Sequence, residues 1–310
     1  MRRNATRLLL ALLTLVAVGL AGWNILTQWR AFRASGAHLV LQWPLILLSS
    51  ALVATAYAVL IETWRRTVRS WDAELPWGVA ARIWFVSNLG RYLPGKVWQI
   101  GAMGVLAQEA GVSPVAAAGS ALVINLVNVL AGFGLVLITG SEFFEAPRVA
   151  IALAVALAVG IALAPRLIPV VGRAAGRLLR RRIDVPVLPD SAVWLACIGC
   201  LLAWILYGIA FQVFVAGVLG QAPGRTASYI AAFTGSYLAG YIVLFAPGGI
   251  GVREGSLILA LSRFGLAQSG AAGVISLTSR LWLTVLEVLP GLALLALGAL
   301  RGRRTSVPPS

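Results

Sequence analysis

The sequence predicts an all-α, polytopic membrane protein with six full spans and two re-entrant hairpins of broken helices. Of its 310 residues, 60% are hydrophobic and only 11% are charged, and the mean hydropathy is +0.90. A soluble domain needs far more charge on its surface. Several stretches also exceed the roughly 18 charge-free residues that indicate a membrane helix.

Long apolar runs give the positions of the expected spans. They cover residues 8–29, 39–61, 113–140, 148–165, 191–219 and 270–300. The first run follows a basic N-terminus as a signal peptide would, but it is long enough to span, so we expect an uncleaved helix. Two more apolar regions, 77–109 and 223–265, each contain a Pro-Gly pair. Because proline interrupts a helix, each region predicts two short helices joined by a break.

The distribution of arginine predicts the orientation. Basic clusters precede the first span, follow the second and fourth, and end the chain: Arg2, Arg3, Arg7; Arg65, Arg66, Arg69; Arg166, Arg173, Arg177, Arg180, Arg181, Arg182; Arg301, Arg303, Arg304. The positive-inside rule therefore places both termini, and a basic loop at 166–190, in the cytoplasm. Region 77–109 then enters and leaves on the cytoplasmic side, and region 223–265 does so on the outer side. Both are expected to be re-entrant.

The two halves of this single transmembrane domain of 310 residues resemble each other. When 8–140 is laid over 148–300, Pro94 aligns with Pro247 and Asn125 with Arg280. Each half then holds three full spans, an odd number, so the second half is inverted in the membrane. Inverted repeats are typical of secondary transporters, whose sites lie at broken helices. The alternative is that membrane sequence rich in small residues aligns easily with itself.

Charged and polar residues near the breaks predict a substrate site. The helix after a break offers free N–H groups that suit an anion. The expected binding residues are Pro94, Gly95, Lys96, Asn125, Pro247, Gly248, Gly249, Arg253, Glu254, Arg280 and Glu287. Because Arg280 and Glu287 are seven residues apart, each should pair with another helix, and Glu254 is the expected partner of Arg280.

Other interpretations of these residues stay open. Arg253, Glu254 and Arg280 could form a purely structural ion-pair network. Arg82, Arg91 and Lys96 could instead extend to the cytoplasmic interface. Asn125 and Asn128 could line a cavity or join helices, with packing slightly favoured.

Metal, cofactor and nucleotide chemistry find little support in the sequence. His38 is the only histidine, and Cys197 and Cys200 lie in an apolar run, so no catalytic residue, metal site or cofactor is expected. No GxxxxGK[ST] motif predicts ATP hydrolysis. The net charge of +15 fits membrane topology and anionic headgroups better than nucleic acid.

Three motifs resemble a known family. "NLGRYLPGKVWQ", "APGGIGVREG" and "SRLWLTVLE" resemble the transmembrane region of lysylphosphatidylglycerol synthases, which also occurs as stand-alone flippase-like proteins of bacteria and archaea. The resemblance covers about 8–300. It implies a multi-pass protein of the bacterial inner membrane that translocates lipid. Since no soluble domain follows Ser310 in the sequence, aminoacyl transfer is not expected.

The expected function is therefore a flippase or scramblase for an anionic or aminoacylated phospholipid, or a polyprenyl-phosphate lipid. One alternative is an ion-coupled transporter of a small anion. Another is an intramembrane lipid-modifying enzyme, which the scarcity of acids and histidine disfavours. The expected partner is a membrane lipid or lipid-linked anion and not nucleic acid, and homo-oligomerisation stays open.

Overall fold

The computed structural model describes residues 23, 26, 30, 40–71, 73–92, 97–143, 147–178, 189–243, 249 and 251–304. Most of the expected first span therefore lies outside the described residues. So do Pro94, Gly95, Lys96, Pro247 and Gly248 of the expected site.

The described ranges fold into helices. They are α1 (Trp43–Arg69), α2 (Trp77–Asn88), a 3₁₀ turn (Leu89–Tyr92), α3 (Val97–Glu109), α4 (Pro114–Thr139), a second 3₁₀ turn (Ser141–Phe143), α5 (Pro147–Leu178), α6 (Asp190–Leu219), α7 (Thr226–Ile242), α8 (Val252–Arg263) and α9 (Ser269–Arg304). Within these ranges there is no strand. The all-helical class is confirmed.

Four helices in the described part of the chain are long and apolar enough to cross a membrane. These stretches are Trp43–Arg69, Pro114–Thr139, Asp190–Leu219 and Gly270–Leu297. They coincide with four of the six expected spans. The expected span 148–165 falls on α5, whose apolar part, Pro147–Leu163, is shorter. Helix α5 continues to Leu178. Residues 166–178, which the sequence predicts to be part of a loop, are therefore helical.

Local sequence explains where the long helices begin and end. Ser113 caps α4, because its side-chain oxygen accepts a hydrogen bond from the Ala116 N–H at 3.3 Å. Pro114 follows at the first helical position, where its missing N–H costs nothing. Helix α6 ends at Gly220, whose φ of 79° is the left-handed conformation that glycine adopts readily.

Small residues allow the long helices to approach closely. Helix α1 packs along α6, and α6 also packs against α4 and α7. A Cβ added at Gly199 would lie 1.9 Å from the Thr63 hydroxyl, and one at Gly208 would lie 2.6 Å from the Ile230 Cα. Such contacts are typical of membrane helix interfaces. Cys200, a free thiol, is buried in the same layer, in agreement with its interpretation as a small apolar residue.

The two interrupted regions each form a pair of short helices. Helices α2 and α3 pack against each other, as do α7 and α8. At 1.5 Å per residue, helices of 12, 13 and 17 residues extend for only about 18–26 Å, which is less than a hydrocarbon core of about 30 Å. The pairs also pack on long helices, since α2 lies against α9 and α7 lies against α4. This arrangement encloses a polar space between the pairs, α4 and α9.

Candidate functional site

A polar cavity of about 70 Å³ lies between the two short-helix pairs, α4 and α9. It is lined by Arg91, Tyr92, Gln99, Asn125, Asn128, Tyr237, Gly240, Tyr241, Arg253, Arg280, Leu283, Thr284 and Glu287. An adjoining space of about 60 Å³ shares Arg91, Asn125, Arg253 and Glu287 with it. We call the first space the basic cavity and the second the aromatic annex, since Tyr57, Trp84, Trp204, Tyr207 and Phe233 line the second.

One face of α9 supplies much of the polar lining. Arg280, Leu283, Thr284 and Glu287 are spaced at i, i+3, i+4 and i+7, so they lie on one side of the helix. Arg280 and Glu287 are both buried, each 5% exposed. Helix α9 is otherwise apolar enough to span a membrane, so this buried charged face requires partners on other helices.

Arg91 provides the partner for Glu287. It stands in the 3₁₀ turn after α2, and its guanidinium forms an ion pair with the Glu287 carboxylate. The Tyr92 hydroxyl donates a hydrogen bond of 3.2 Å to the other carboxylate oxygen. The interpretation of Arg91 as an interface residue is therefore wrong, because the turn directs it into the cavity and the buried carboxylate stabilises its charge.

Glu254 provides the partner for Arg280, as the sequence predicts. Arg280 Nε lies 3.5 Å from Glu254 Oε1. The other carboxylate oxygen accepts a hydrogen bond of 2.6 Å from the Gly251 N–H, at the start of α8. The carboxylate thus caps α8 and contacts an α9 arginine at the same time. Glu254 does not line the basic cavity itself but stands behind Arg280.

Arg253 differs from the other two arginines of the cavity. It is 8% exposed, and its guanidinium lies over two rings, 4.9 Å from the centroid of Tyr237 and 5.5 Å from that of Phe233. Within the described ranges, no ion pair to a carboxylate is present, and its Nη2 atom has no hydrogen-bond partner. Ring faces attract a cation but accept few of its N–H bonds. Arg253 therefore lines the cavity with a buried guanidinium whose Nη2 has no hydrogen-bond partner among the described residues.

Neutral amides line the opposite side of the cavity. Asn125 donates to the Ala121 carbonyl at 2.8 Å, and Gln99 donates to the Asn88 side-chain oxygen at 2.6 Å. The Asn128 side chain also faces the cavity, while its backbone carbonyl accepts a bond of 2.9 Å from the Trp204 indole. Both asparagines thus line a cavity, and Asn128 joins helices as well.

Gly249 shapes the site without lining it. Its φ of 72° is left-handed, and a Cβ there would lie 2.7 Å from the Gly240 carbonyl oxygen. A Cβ at Gly240 would lie 2.9 Å from the Cβ of Arg253. The two glycines therefore let α8 approach α7 so that Arg253 reaches the cavity.

Four lining residues are absent from the predicted site. Tyr92 and Gln99 lie within the motif NLGRYLPGKVWQ, which could have pointed to them, whereas Tyr237 and Tyr241 have no signal, because a lone polar residue on an apolar helix is equally typical of ordinary packing. Across the ranges that the structure describes, no cluster of three or more His, Cys, Asp or Glu side chains could hold a metal ion.

Fold and site together define a multi-pass α-helical membrane protein with a buried basic cavity between short, paired helices. The family model described as "Lysylphosphatidylglycerol synthase TM region" matches residues 4–291. The chain belongs to this family, as its three motifs suggested, and the membership indicates a lipid-related function in the membrane. A search of curated proteins found no match.

Proposed function

We propose that this protein is a flippase or scramblase that moves an anionic or aminoacylated phospholipid, or a polyprenyl-phosphate lipid, between leaflets. The observation that carries the proposal is Arg253, a buried arginine that lines a cavity between the short helices and whose Nη2 has no hydrogen-bond partner among the described residues. A central arginine costs about 2.5–3.5 kcal/mol to insert in a membrane. A ligand phosphate that accepts its N–H bonds would offset that cost.

The charge around the cavity supports an anionic ligand. Three guanidinium groups (Arg91, Arg253, Arg280) and two carboxylates (Glu254, Glu287) lie at the cavity or next to it. The described charged groups there therefore carry one net positive charge. The guanidinium fork suits phosphate oxygens, and the amides of Asn125 and Gln99 can bond to hydroxyl groups of a headgroup.

The proposed architecture is an inverted repeat with two re-entrant hairpins. It is supported by the order of the helices: a long helix, two short helices and another long helix occur in each half (α1–α4 and α6–α9). The crosswise packing of α2 on α9 and of α7 on α4 supports it too. Asn125 and Arg280, aligned in the two halves, also line one cavity. Transporters with such repeats bind substrate at their interface.

The proposed orientation has both termini in the cytoplasm. Single cysteines at exposed positions, introduced after Cys197 and Cys200 are replaced by serine, would test it by labelling with a membrane-impermeant maleimide in sealed vesicles. Residues near Arg66 should be labelled from the cytoplasmic side and residues near Glu142 from the outer side. The reverse pattern would overturn the orientation.

A second candidate is an ion-coupled transporter of a small soluble anion. The size and charge of the basic cavity favour it, because about 70 Å³ is room for a small anion without any acyl chain. The two functions differ in whether a lipid or a soluble ion crosses the bilayer.

Reconstituted liposomes would test the proposal. Dithionite quenching would follow fluorescent headgroup-labelled phosphatidylglycerol, lysyl-phosphatidylglycerol, phosphatidylcholine and a short polyprenyl phosphate. The matched variants are Arg253→Gln and Arg263→Gln, since Arg263 is an exposed arginine of the same helix. We expect faster exchange of an anionic or aminoacylated lipid that Arg253→Gln abolishes and Arg263→Gln preserves.

Two other outcomes of this assay would overturn the proposal. In the first, folded wild-type protein moves no lipid but accumulates a labelled small anion under an ion gradient, which would establish the second candidate. In the second, Arg253→Gln and Arg263→Gln move lipid equally fast, which would remove the basic cavity from the pathway.

A further inference from the structure

An apolar groove of about 280 Å³ lies behind the aromatic annex, between α1, α2 and α9. Its lining is Ala54, Tyr57, Ala58, Ile61, Trp77, Phe85, Leu286 and Pro290. Except for the Tyr57 hydroxyl and the Trp77 indole N–H, these side chains have no polar group. Ala54 and Trp77 are exposed, so the groove opens to the outside of the helix bundle.

Tyr57 is a wall shared by the groove and the annex. It lines both spaces. Its ring centroid lies 5.3 Å from that of Phe85, on the groove side, and 5.9 Å from that of Tyr207, in the annex. A layer of aromatic rings thus stands between an apolar groove and a space that continues into the basic cavity.

Helices α9 and α2 each present one face to the groove and another to the annex. On α9, Leu286 and Pro290 line the groove, while Leu283 and Glu287 line the annex. On α2, Phe85 faces the groove, and the next residue back, Trp84, faces the annex. The groove and the annex therefore run back to back, with apolar lining towards the outside and charge towards the inside.

We propose that the groove binds one acyl chain of the lipid whose phosphate binds in the basic cavity, and that the Tyr57–Phe85 pair is the lateral gate between them. This inference rests on the proposed function. An acyl chain is the occupant that the lining fits. In a bilayer the chain gains van der Waals contact with the Ala, Ile, Leu and Phe side chains, and the groove adjoins the annex that leads to the basic cavity. A lipid whose phosphate lies in that cavity therefore brings one of its chains to the groove.

The small side chains of α1 leave the room for the chain. Ala54 and Ala58 are one turn apart on the groove face, with Ile61 a further turn along. At the Ile61 end, α1 continues into Arg65 and Arg66, both partly or fully exposed. Arginines at this end suit the headgroup region of a lipid layer, so the groove runs from headgroup level into the apolar zone.

Photo-crosslinking would test the groove directly. The probe is phosphatidylglycerol with a diazirine in one acyl chain, present in trace amounts in nanodiscs of phosphatidylcholine. The variants are wild type, Ala58→Phe, and Ala156→Phe on the exposed face of α5 as the matched control. We expect labelled peptides from residues 54–61 and 286–290, and competition by unlabelled phosphatidylglycerol.

The groove variants should lose this labelling. Ala58→Phe should remove most of it, because the added phenyl ring fills the space between the groove walls that the acyl chain would occupy. Ala156→Phe should leave it unchanged. Ala54→Phe, at a more exposed position of the same face, gives the same test if Ala58→Phe does not fold. Labelling of α5 equal to that of α1 and α9, unaffected by either groove variant, would overturn the proposal.

A parallel dithionite assay separates this inference from the proposed function. If wild type labels the groove but moves no lipid, the groove site stands and the translocation function fails. If wild type moves lipid, and Ala58→Phe or Ala54→Phe moves it as fast as Ala156→Phe, translocation stands and the gate is overturned.

Discussion

Arg91 and Glu287 form an ion pair that joins the 3₁₀ turn after α2 to the middle of α9. The pair is well shielded, with side-chain exposures of 22% and 6%. The Tyr92 hydroxyl completes it by a bond to the same carboxylate. The pair thus ties a short-helix pair of the first half to the last long helix of the second half.

The first prediction concerns the stability that this pair provides. Arg91→Gln or Glu287→Gln alone leaves a buried charge without its partner, at a cost of about 3–5 kcal/mol in the free energy of unfolding. The double variant leaves neither charge, so it should cost clearly less than the sum of the single variants. Unfolding in mixed micelles would measure the cycle.

The exposed pair Arg225–Glu142 is the control for this cycle. Both of its side chains are mostly exposed, at 72% and 62%, so removing either should change the unfolding free energy by about 0–1 kcal/mol. Additive losses at Arg91 and Glu287 would contradict the prediction, because they would mean that the two charges do not interact.

The charges of the site could be predicted from sequence to very different degrees. Arg280 and Glu287 stand out because a charged side chain within an apolar span costs free energy to insert into a membrane. Such a residue is therefore expected to have a partner or a functional role. Since so few acids are available, Glu254 could be named as the partner of Arg280, and the structure confirms it. Arg91 could not be assigned, because it stands at the edge of an apolar run and its position depends on the turn after α2.

The helices, too, could be predicted from the sequence only in part. The positions of four spans could be predicted from the sequence, because a run of about 20 apolar residues usually forms a membrane helix. The extension of α5 to Leu178 could not be predicted, because a cluster of positive charges indicates on which side of the membrane a segment lies but does not distinguish a loop from a helix. Tyr57 and Tyr237 could not be singled out, since the sequence does not say which face of an apolar helix meets a cavity.

The second prediction concerns the carboxylate behind Arg280. Glu254→Gln removes a negative charge 3.5 Å from Arg280 Nε, while the amide oxygen can still accept the Gly251 N–H. The cavity becomes more positive, so dihexanoyl-phosphatidylglycerol should bind about three- to tenfold more tightly. Calorimetry in detergent would measure the affinity.

Glu109→Gln, at the exposed end of α3, is the matched control and should leave the affinity unchanged. Weaker binding by Glu254→Gln would count against the prediction. It would show that the carboxylate contacts the ligand or that α8 needs its charge.

The third prediction concerns the close approach of α7 and α8. In Gly240→Ala, the added methyl would lie 2.9 Å from the Cβ of Arg253, whereas in Gly235→Ala, on the same helix, it would lie 3.8 Å from the Val136 methyls. Gly240→Ala should destabilise the protein by about 1–3 kcal/mol, because α8 must shift. It should also weaken lipid binding, since Arg253 moves with α8.

Gly235→Ala should be neutral or slightly stabilising, since alanine favours helix over glycine by about 0.5–1 kcal/mol. Thermal unfolding and the calorimetric affinity would be measured for both variants. Equal behaviour of the two would show that the approach at Gly240 does not hold Arg253 in place.

The last prediction concerns the charge of the headgroup. The described charged groups around the cavity carry one net positive charge, which one negative charge on the ligand neutralises. A phosphodiester, which carries one negative charge, should therefore bind with the highest affinity. Dihexanoyl-phosphatidylglycerol should therefore bind at least as tightly as dihexanoyl-phosphatidic acid, although the monoester carries more charge at neutral pH. Glu254→Gln, which raises the excess to two charges, should shift the preference towards the monoester. If wild type already prefers phosphatidic acid, a phosphomonoester lipid such as a polyprenyl phosphate becomes the better substrate, because a second cation must then face the headgroup.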